Sequence, residues 1–276
     1  MNNKPNGGRF MPMQLSNIDN SPHDIREYWT PERKKAAIPV IGGAPISQGM
    51  PSADNAPPPP PPTDPAQANL AEMPFTTGGK LFYSMNGKDF VASGNIFMKN
   101  NMLLTAAHCI QDKDSGSIGE NYVFELDYTG ELSSEDFTFK TVALRENWYQ
   151  TKNEKYDYAI AILDKPSKVA TPLRYTTDTQ IRDKQITSMG YPTAYFDGAQ
   201  MMFVKGLVVP IYGHWAMFGS KMGAGASGGA WVLDDNVTAV GLNAYVSVSG
   251  KEILYSGSPL FDKEFDSLYQ YALTLM

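Results

Sequence analysis

With 276 residues, 42% of them hydrophobic and 19% charged, the chain has an ordinary globular balance, enough for one large domain or two small ones plus extensions. A net charge of −6 argues against the basic surface that non-specific nucleic-acid binding needs, and no apolar run approaches the roughly 18 residues of a membrane helix. The single cysteine, Cys109, excludes an intramolecular disulfide and reads as a small buried hydrophobe, so the core must hold the fold. A basic residue near the start is followed by no apolar stretch, so no secretory signal peptide is expected.

Residues 1–40 form an arm unlike the rest. Its first 23 residues are rich in Asn, Gly, Pro and Met, lack any period and are expected to be unstructured. Thr30 followed by Pro31 predicts the start of a capped helix, which should end before Pro39. Residues 41–77 read as a linker whose six consecutive prolines, Pro57 to Pro62, make a stiff polyproline spacer. From residue 78 the chain turns to short strands. Leu81–Met85, Asn86-Gly87 and Lys88–Phe97 predict a hairpin on a type I′ turn. Tyr122, Phe124, Leu126 and Tyr128 alternate along a second strand, closed by Thr129-Gly130. Phe137, Phe139 and Val142 suggest another, and Tyr158–Leu163 has the length of a buried one. Trp231–Leu233 and Val237–Leu242 flank a turn, forming a second hairpin. Phe261, Phe265, Leu268, Tyr269 and Ala272 fall at helical spacing, which places a C-terminal helix over 261–276. Many short strands at this spacing indicate an all-β sandwich or barrel.

Three segments carry candidate chemistry: Leu103-Leu104-Thr105-Ala106-Ala107-His108-Cys109, Tyr156-Asp157-Tyr158-Ala159-Ile160-Ala161-Ile162-Leu163, and Gly223-Ala224-Gly225-Ala226-Ser227-Gly228-Gly229-Ala230-Trp231. Singly, each has a structural reading: a core histidine, a turn aspartate and a glycine-rich loop. Jointly they supply what a serine nucleophile needs. A base removes its proton, and a carboxylate fixes the base's tautomer. Backbone N–H groups of a glycine-rich turn face the developing oxyanion.

These segments resemble the three signatures of the trypsin/chymotrypsin-like serine peptidases, over about residues 78–275. Gly190-Tyr191-Pro192 and Lys80-Leu81-Phe82-Tyr83 are similar to the bacterial glutamyl-endopeptidase-like branch. Tyr28-Trp29-Thr30-Pro31-Glu32-Arg33 resembles a propeptide segment of secreted relatives. The resemblance implies two six-stranded antiparallel β-barrels, barrel one over about 78–170 and barrel two over about 171–260, with the C-terminal helix after them. His108, Asp157 and Ser227 would be the catalytic triad, and Gly225 and Ser227 would furnish the oxyanion hole. It implies a protein or peptide substrate. One cysteine and three scattered histidines make no zinc site, so no cofactor or metal is expected. The bridge that relatives make from the cysteine after the histidine is absent, because its partner position is Ala92. Ala226 stands where digestive relatives carry an aspartate that pairs with a new N-terminus, so Val40-Ile41-Gly42-Gly43, which mimics an activation site, is read as coincidence. A zymogen cut is expected instead between about Ala66 and Gly78.

For specificity, Lys221 takes a position that lines the primary pocket in relatives, where it would favour an acidic residue, or else it is a solvated loop lysine. Asn243 stands where glutamate-preferring relatives place a histidine, which weakens that preference. Two rival readings remain. An α/β-hydrolase esterase would need a histidine after its serine, and none follows Ser227. A catalytically retired double-barrel binding module would be expected to lack a triad member. The family is mostly exported, whereas the missing leader and disulfides suit the cytosol or another export route.

Overall fold

The computed structural model describes residues 10–13, 21–40, 42, 61–182, 184–211, 213–249 and 252–276. The arm contributes β1 (Phe10–Met13), α1 (Pro22–Tyr28), α2 (Pro31–Ala36) and β2 (Ile38–Pro39), and β3 (Ala66–Gln67) follows. Thr30 caps α2 as expected, its hydroxyl accepting from the Arg33 N–H, with Pro31 in the first turn. Of residues 1–23, expected to be unstructured, 1–9 and 14–20 lie outside the described residues, and the described ones correct that reading. Phe10–Met13 pairs with a barrel strand, and Ser21 caps α1 in a reciprocal capping box with Asp24. Of the six-proline run, Pro57 to Pro60 lie outside the described residues.

Barrel one contains β4 (Gly78–Met85), β5 (Lys88–Phe97), β6 (Lys99–Thr105), β7 (Glu120–Leu126), β8 (Glu135–Arg145) and β9 (Ala159–Leu163), with α3 (Glu146–Thr151) before the last. The hairpin between β4 and β5 turns on Asn86 (φ 53°) and Gly87 (φ 72°), both left-handed as the type I′ turn demands. Antiparallel pairing runs β4–β5–β6–β9–β8–β7 and back to β4, closing a six-stranded ring without free edges. Leu81, Leu103, Leu104, Phe124, Phe137, Val142 and Ile160 fill it and are solvent-inaccessible or nearly so. β1 extends the ring outside β8, and β2 lies parallel to β5.

The second unit contains β10 (Arg174–Tyr175), β11 (Gln185–Gly190), β12 (Met202–Leu207), β13 (Val209–Ile211), β14 (His214–Phe218), β15 (Ala230–Leu233), β16 (Thr238–Leu242), β17 (Tyr245–Ser249) and β18 (Glu252–Pro259). Its strands form two sheets, β10-β16-β15-β11-β12-β3 and β13-β14-β18-β17. The chain passes from one sheet to the other through Val208 and again through Asn243-Ala244. Ile186, Val204, Met217, Trp231 and Val240 pack between them. The pairing of β3 with β12 carries this unit N-terminal of residue 78, and Phe75 and Thr77 are buried. Within the segment expected to hold a zymogen cut, Ala66 to Gly78, Ala68, Pro74, Phe75, Thr77 and Gly78 are buried, whereas Ala66, Gln67, Asn69, Ala71 and Glu72 are exposed. α4 (Lys263–Leu273) starts at its Asp262 cap, two residues inside the expected span. It lays Phe265 against Tyr158 and Tyr175.

Candidate active site

β6 and β9 bring the first two segments together. Their last pair is Thr105 with Ala159, so the residues just beyond β6 and just before β9 emerge side by side. After β6 the chain tightens into a 3-10 turn, Ala107–Cys109, that projects His108. Before β9 a second such turn, Glu154–Tyr156, ends on Asp157. Asp157 is fully buried, and each of its oxygens holds His108. Oδ1 accepts from the His108 backbone N–H at 2.9 Å, and Oδ2 lies 2.8 Å from ring Nδ1. One carboxylate thus fixes both the backbone and the ring of the histidine. Burial pulls the imidazole toward its neutral form, but the Asp157 carboxylate more than offsets this. His108 is held well above its ordinary value.

Ser227 sits in the loop between β14 and β15. Gly225 adopts φ +90°, and a Cβ there would lie 2.5 Å from the Tyr191 carbonyl oxygen, so only glycine fits. The Ala226 N–H donates to the Gly223 carbonyl, and Gly229 N–H to that of Ala226. Gly228 N–H donates to Asn243 O, and Asn243 N–H to Gly229 O. Barrel one clamps the same loop through Ser93, whose N–H donates to Ser227 O and whose hydroxyl donates to Gly225 O at 2.8 Å. Gly228 packs so close to Thr105 and Ala106 that an added Cβ would meet Thr105 Oγ1 at 2.3 Å. The serine loop is in this way pressed against the strand end that carries His108.

Beside Ser227 lies a small cavity lined by Gly42, Met222, Gly223, Asn243, Tyr245, Val246 and Ser256 among others. Asn243 reaches it, but the amide is already committed. Its Oδ1 accepts from Ser188 Oγ and Trp231 Nε1, and its Nδ2 donates to Met189 O. Lys221 is not among the lining residues. It points outward, 61% exposed, and pairs with Asp64 at 2.9 Å. The neighbours Ser220 and Met222 are the buried ones.

Sequence reasoning missed two residues here. Val40 and Gly42 of the arm lie in the cleft itself. The Val40 N–H donates to Val91 O on barrel one, and the Val40 carbonyl accepts from the Gly225 N–H, both at 3.1 Å. Ser227 Oγ also donates to that carbonyl, at 3.4 Å. Gly42 fits so tightly that a Cβ would stand 1.7 Å from Ala244 O and 2.4 Å from His108 Cε1. His108 Nε2 is buried and has no hydrogen-bond partner among the described residues.

Residues 92–242, more than half of the chain, match the trypsin-like peptidase domain family. No curated protein matches the sequence. Three similar solved structures are proteases. The thermostable serine protease AL20 of an extremophilic microorganism is 26% identical, covers 72% of this chain and 97% of its own, and superposes with a TM-score of 0.65. The protease Anisep from Arthrobacter nicotinovorans is 24% identical, with 73% and 97% covered and a TM-score of 0.64. A Glu endopeptidase is 18% identical, with 75% and 95% covered and a TM-score of 0.60. The last two likenesses speak to the fold alone. The matched span holds all three chemistry-bearing segments, and the chain belongs to the trypsin-like peptidase family and, with it, to the serine endopeptidases.

Proposed function

We propose that the chain hydrolyses peptide bonds through an acyl-enzyme, with Ser227 as nucleophile, His108 as base and Asp157 as the group that orients His108. The observation that carries this reading is the two-point hold of a buried histidine by a buried aspartate, beside the serine loop. Asp157 keeps the proton on Nδ1, which leaves Nε2 a lone pair. Nε2 takes the Ser227 proton as Oγ attacks the peptide carbonyl carbon. The oxyanion draws N–H donors from Gly225 and Ser227. His108 then passes its proton to the leaving amine as the C–N bond breaks. A water, deprotonated by His108, hydrolyses the ester and restores Ser227.

The cavity lining supports a preference for an uncharged residue before the scissile bond, since no charged side chain stands among the lining residues. A glutamate preference through Lys221 finds no support in that placement.

The test is intact-mass detection of fluorophosphonate labelling, with a peptide library run alongside. One adduct is expected at Ser227, none in Ser227→Ala, and peptide cleavage should be lost with it. Undiminished amidase activity in Ser227→Ala would refute the mechanism. Ester cleavage with no peptide cleavage in any chain would favour the esterase alternative. An unreactive Ser227 in a chain whose cleft is open would favour the retired binding module.

A further inference from the structure

We infer that Val40 and Gly42 form a built-in plug, held in the catalytic cleft by a basic clamp that the arm places on barrel one, and that the enzyme is shut until the plug leaves. This rests on the peptidase reading above.

The plug bridges both walls. On one side the Val40 N–H is spent on Val91, and on the other its carbonyl takes the Gly225 N–H and the Ser227 hydroxyl. A carbonyl oxygen thus takes the Gly225 N–H that the oxyanion needs, and Gly42 lines the adjoining cavity, packed against His108 and Ala244. Ser227 and His108 are 6% and 5% exposed with the plug in place. The nucleophile is also turned off electronically. The serine hydroxyl donates to Val40 O, while Nε2, the atom that should receive its proton, has no partner among the described residues. In that geometry the segment would sit in the cleft without being cut. A hydroxyl donating to the carbonyl oxygen has its proton on the wrong atom for attack on the carbonyl carbon.

The clamp is charge-complementary. Arg26 pairs with Asp136 and, at 2.8 Å, with Asp164; Arg33 pairs with Asp89 at 3.0 Å; Lys34 pairs with Glu125. Every cation is on the arm and every anion on the barrel. Trp29 adds an apolar anchor. It is 4% exposed, packs on Phe82 and donates from Nε1 to Asn121 O. Because the clamp lies upstream of the plug, a cut between residues 43 and 60 would leave the plug docked and only untether it. Release then needs the clamp itself to let go.

The experiment compares the full chain with Gly42→Val and, as a second route, with Arg26→Glu/Arg33→Glu. The first expels the plug sterically, and the second weakens its clamp. Three readouts are taken: the fluorophosphonate labelling rate at Ser227, hydrogen exchange of the peptide spanning residues 36–45, and the intact mass. Both variants are expected to label at least ten-fold faster than the native chain, with faster exchange over 36–45 and no change in chain mass. Equal labelling in a native chain whose plug is protected would overturn the inference. So would a plug that already exchanges freely in the native chain, or cleavage between Val40 and Ile41 as the cause of activation. If the variants free the plug and Ser227 still reacts in none of the chains, the occupancy stands and it is the peptidase reading that falls.

Discussion

Asp157→Asn separates catalysis from stability in a way the geometry dictates. Both carboxylate oxygens face donors: the His108 backbone N–H at 2.9 Å and ring Nδ1 at 2.8 Å. An asparagine amide offers one acceptor and one donor, so one of the two contacts must change. The backbone N–H cannot alter its role. The imidazole can, by moving its proton from Nδ1 to Nε2. The amide oxygen should therefore stay with the backbone, and its NH2 should turn to the ring, forcing the Nε2–H tautomer. Nε2 then has no lone pair for the Ser227 proton. The expected loss of peptidase rate is about 10³- to 10⁴-fold, or roughly 4–5.5 kcal/mol of barrier. The His108 backbone N–H and ring Nδ1 both keep a partner at residue 157, and the added Nε2–H sits on an atom that has no partner among the described residues in the native chain either, so the fold should lose the charge-assisted part of the pair, about 1–3 kcal/mol.

That stability difference depends on pH with a definite sign. The carboxylate raises His108 above its ordinary value despite burial, so the folded state favours the charged ring. The stabilisation is fully present below the unfolded value near 6.5 and fades as pH climbs through the raised folded value. Native chain and Asp157→Asn should thus differ more in thermal stability at pH 5.5 than at pH 9. Both quantities are measured in the native chain and in the Gly42→Val background. A variant within ten-fold of native activity would refute the tautomer argument. One destabilised by more than about 5 kcal/mol at pH 9 would show that the amide cannot satisfy the backbone N–H as supposed.

Two further expectations follow from the same contacts. The labelling rate of an unplugged chain should fall on the acid side with a midpoint above about 6.5, because His108 must be neutral to act and Asp157 favours its charged form; a midpoint at or below 6 in a labelling-rate profile would contradict this. Ser93→Ala removes a hydroxyl that donates to Gly225 O and accepts from the Tyr191 N–H, with Ser93 1% exposed. Two buried backbone groups lose a partner at about 1–2 kcal/mol each. A fall in Tm of roughly 5–15 °C and at least ten-fold slower labelling are expected, and an unchanged Tm would mean that the hydroxyl does not hold the serine loop.

What the sequence made readable was whatever is local. Asn86-Gly87 needs two left-handed residues in a row, and that demand is written in the residue types. The alternating aromatics of β7 and the capped start of α2 are legible for the same reason. The segments around His108, Asp157 and Ser227 stood out because small residues must surround chemistry that is approached by backbone. Two-residue strands such as β2 and β3 carry no period, and they exist only because a partner edge is present. The box that starts α1 was visible as Ser21 and Asp24, three residues apart, but it lay within a stretch whose composition suggested no structure. Lys221 was placed by counting back from Ser227. Counting along a chain does not fix which way a side chain faces, and this one faces out to pair with Asp64.

Val40-Ile41-Gly42-Gly43 shows the limit most clearly. As a string it resembles a processing site, and the alanine at position 226 removes the carboxylate that would receive the new N-terminus. The three-dimensional placement gives the described residues of the string a different use. Val40 presents a carbonyl to the serine loop, and Gly42 is glycine because Ala244 and His108 leave no room for a Cβ. Any side chain at residue 42 would open the cleft, so a requirement for glycine there is a requirement for closure. No cut at this string is needed to explain why it lies where it does. The segment is positioned by the clamp upstream and by the two walls of the cleft. The regulation it implies is therefore set by the affinity of residues 21–40 for barrel one, a quantity that charge reversal and salt can move without touching the triad.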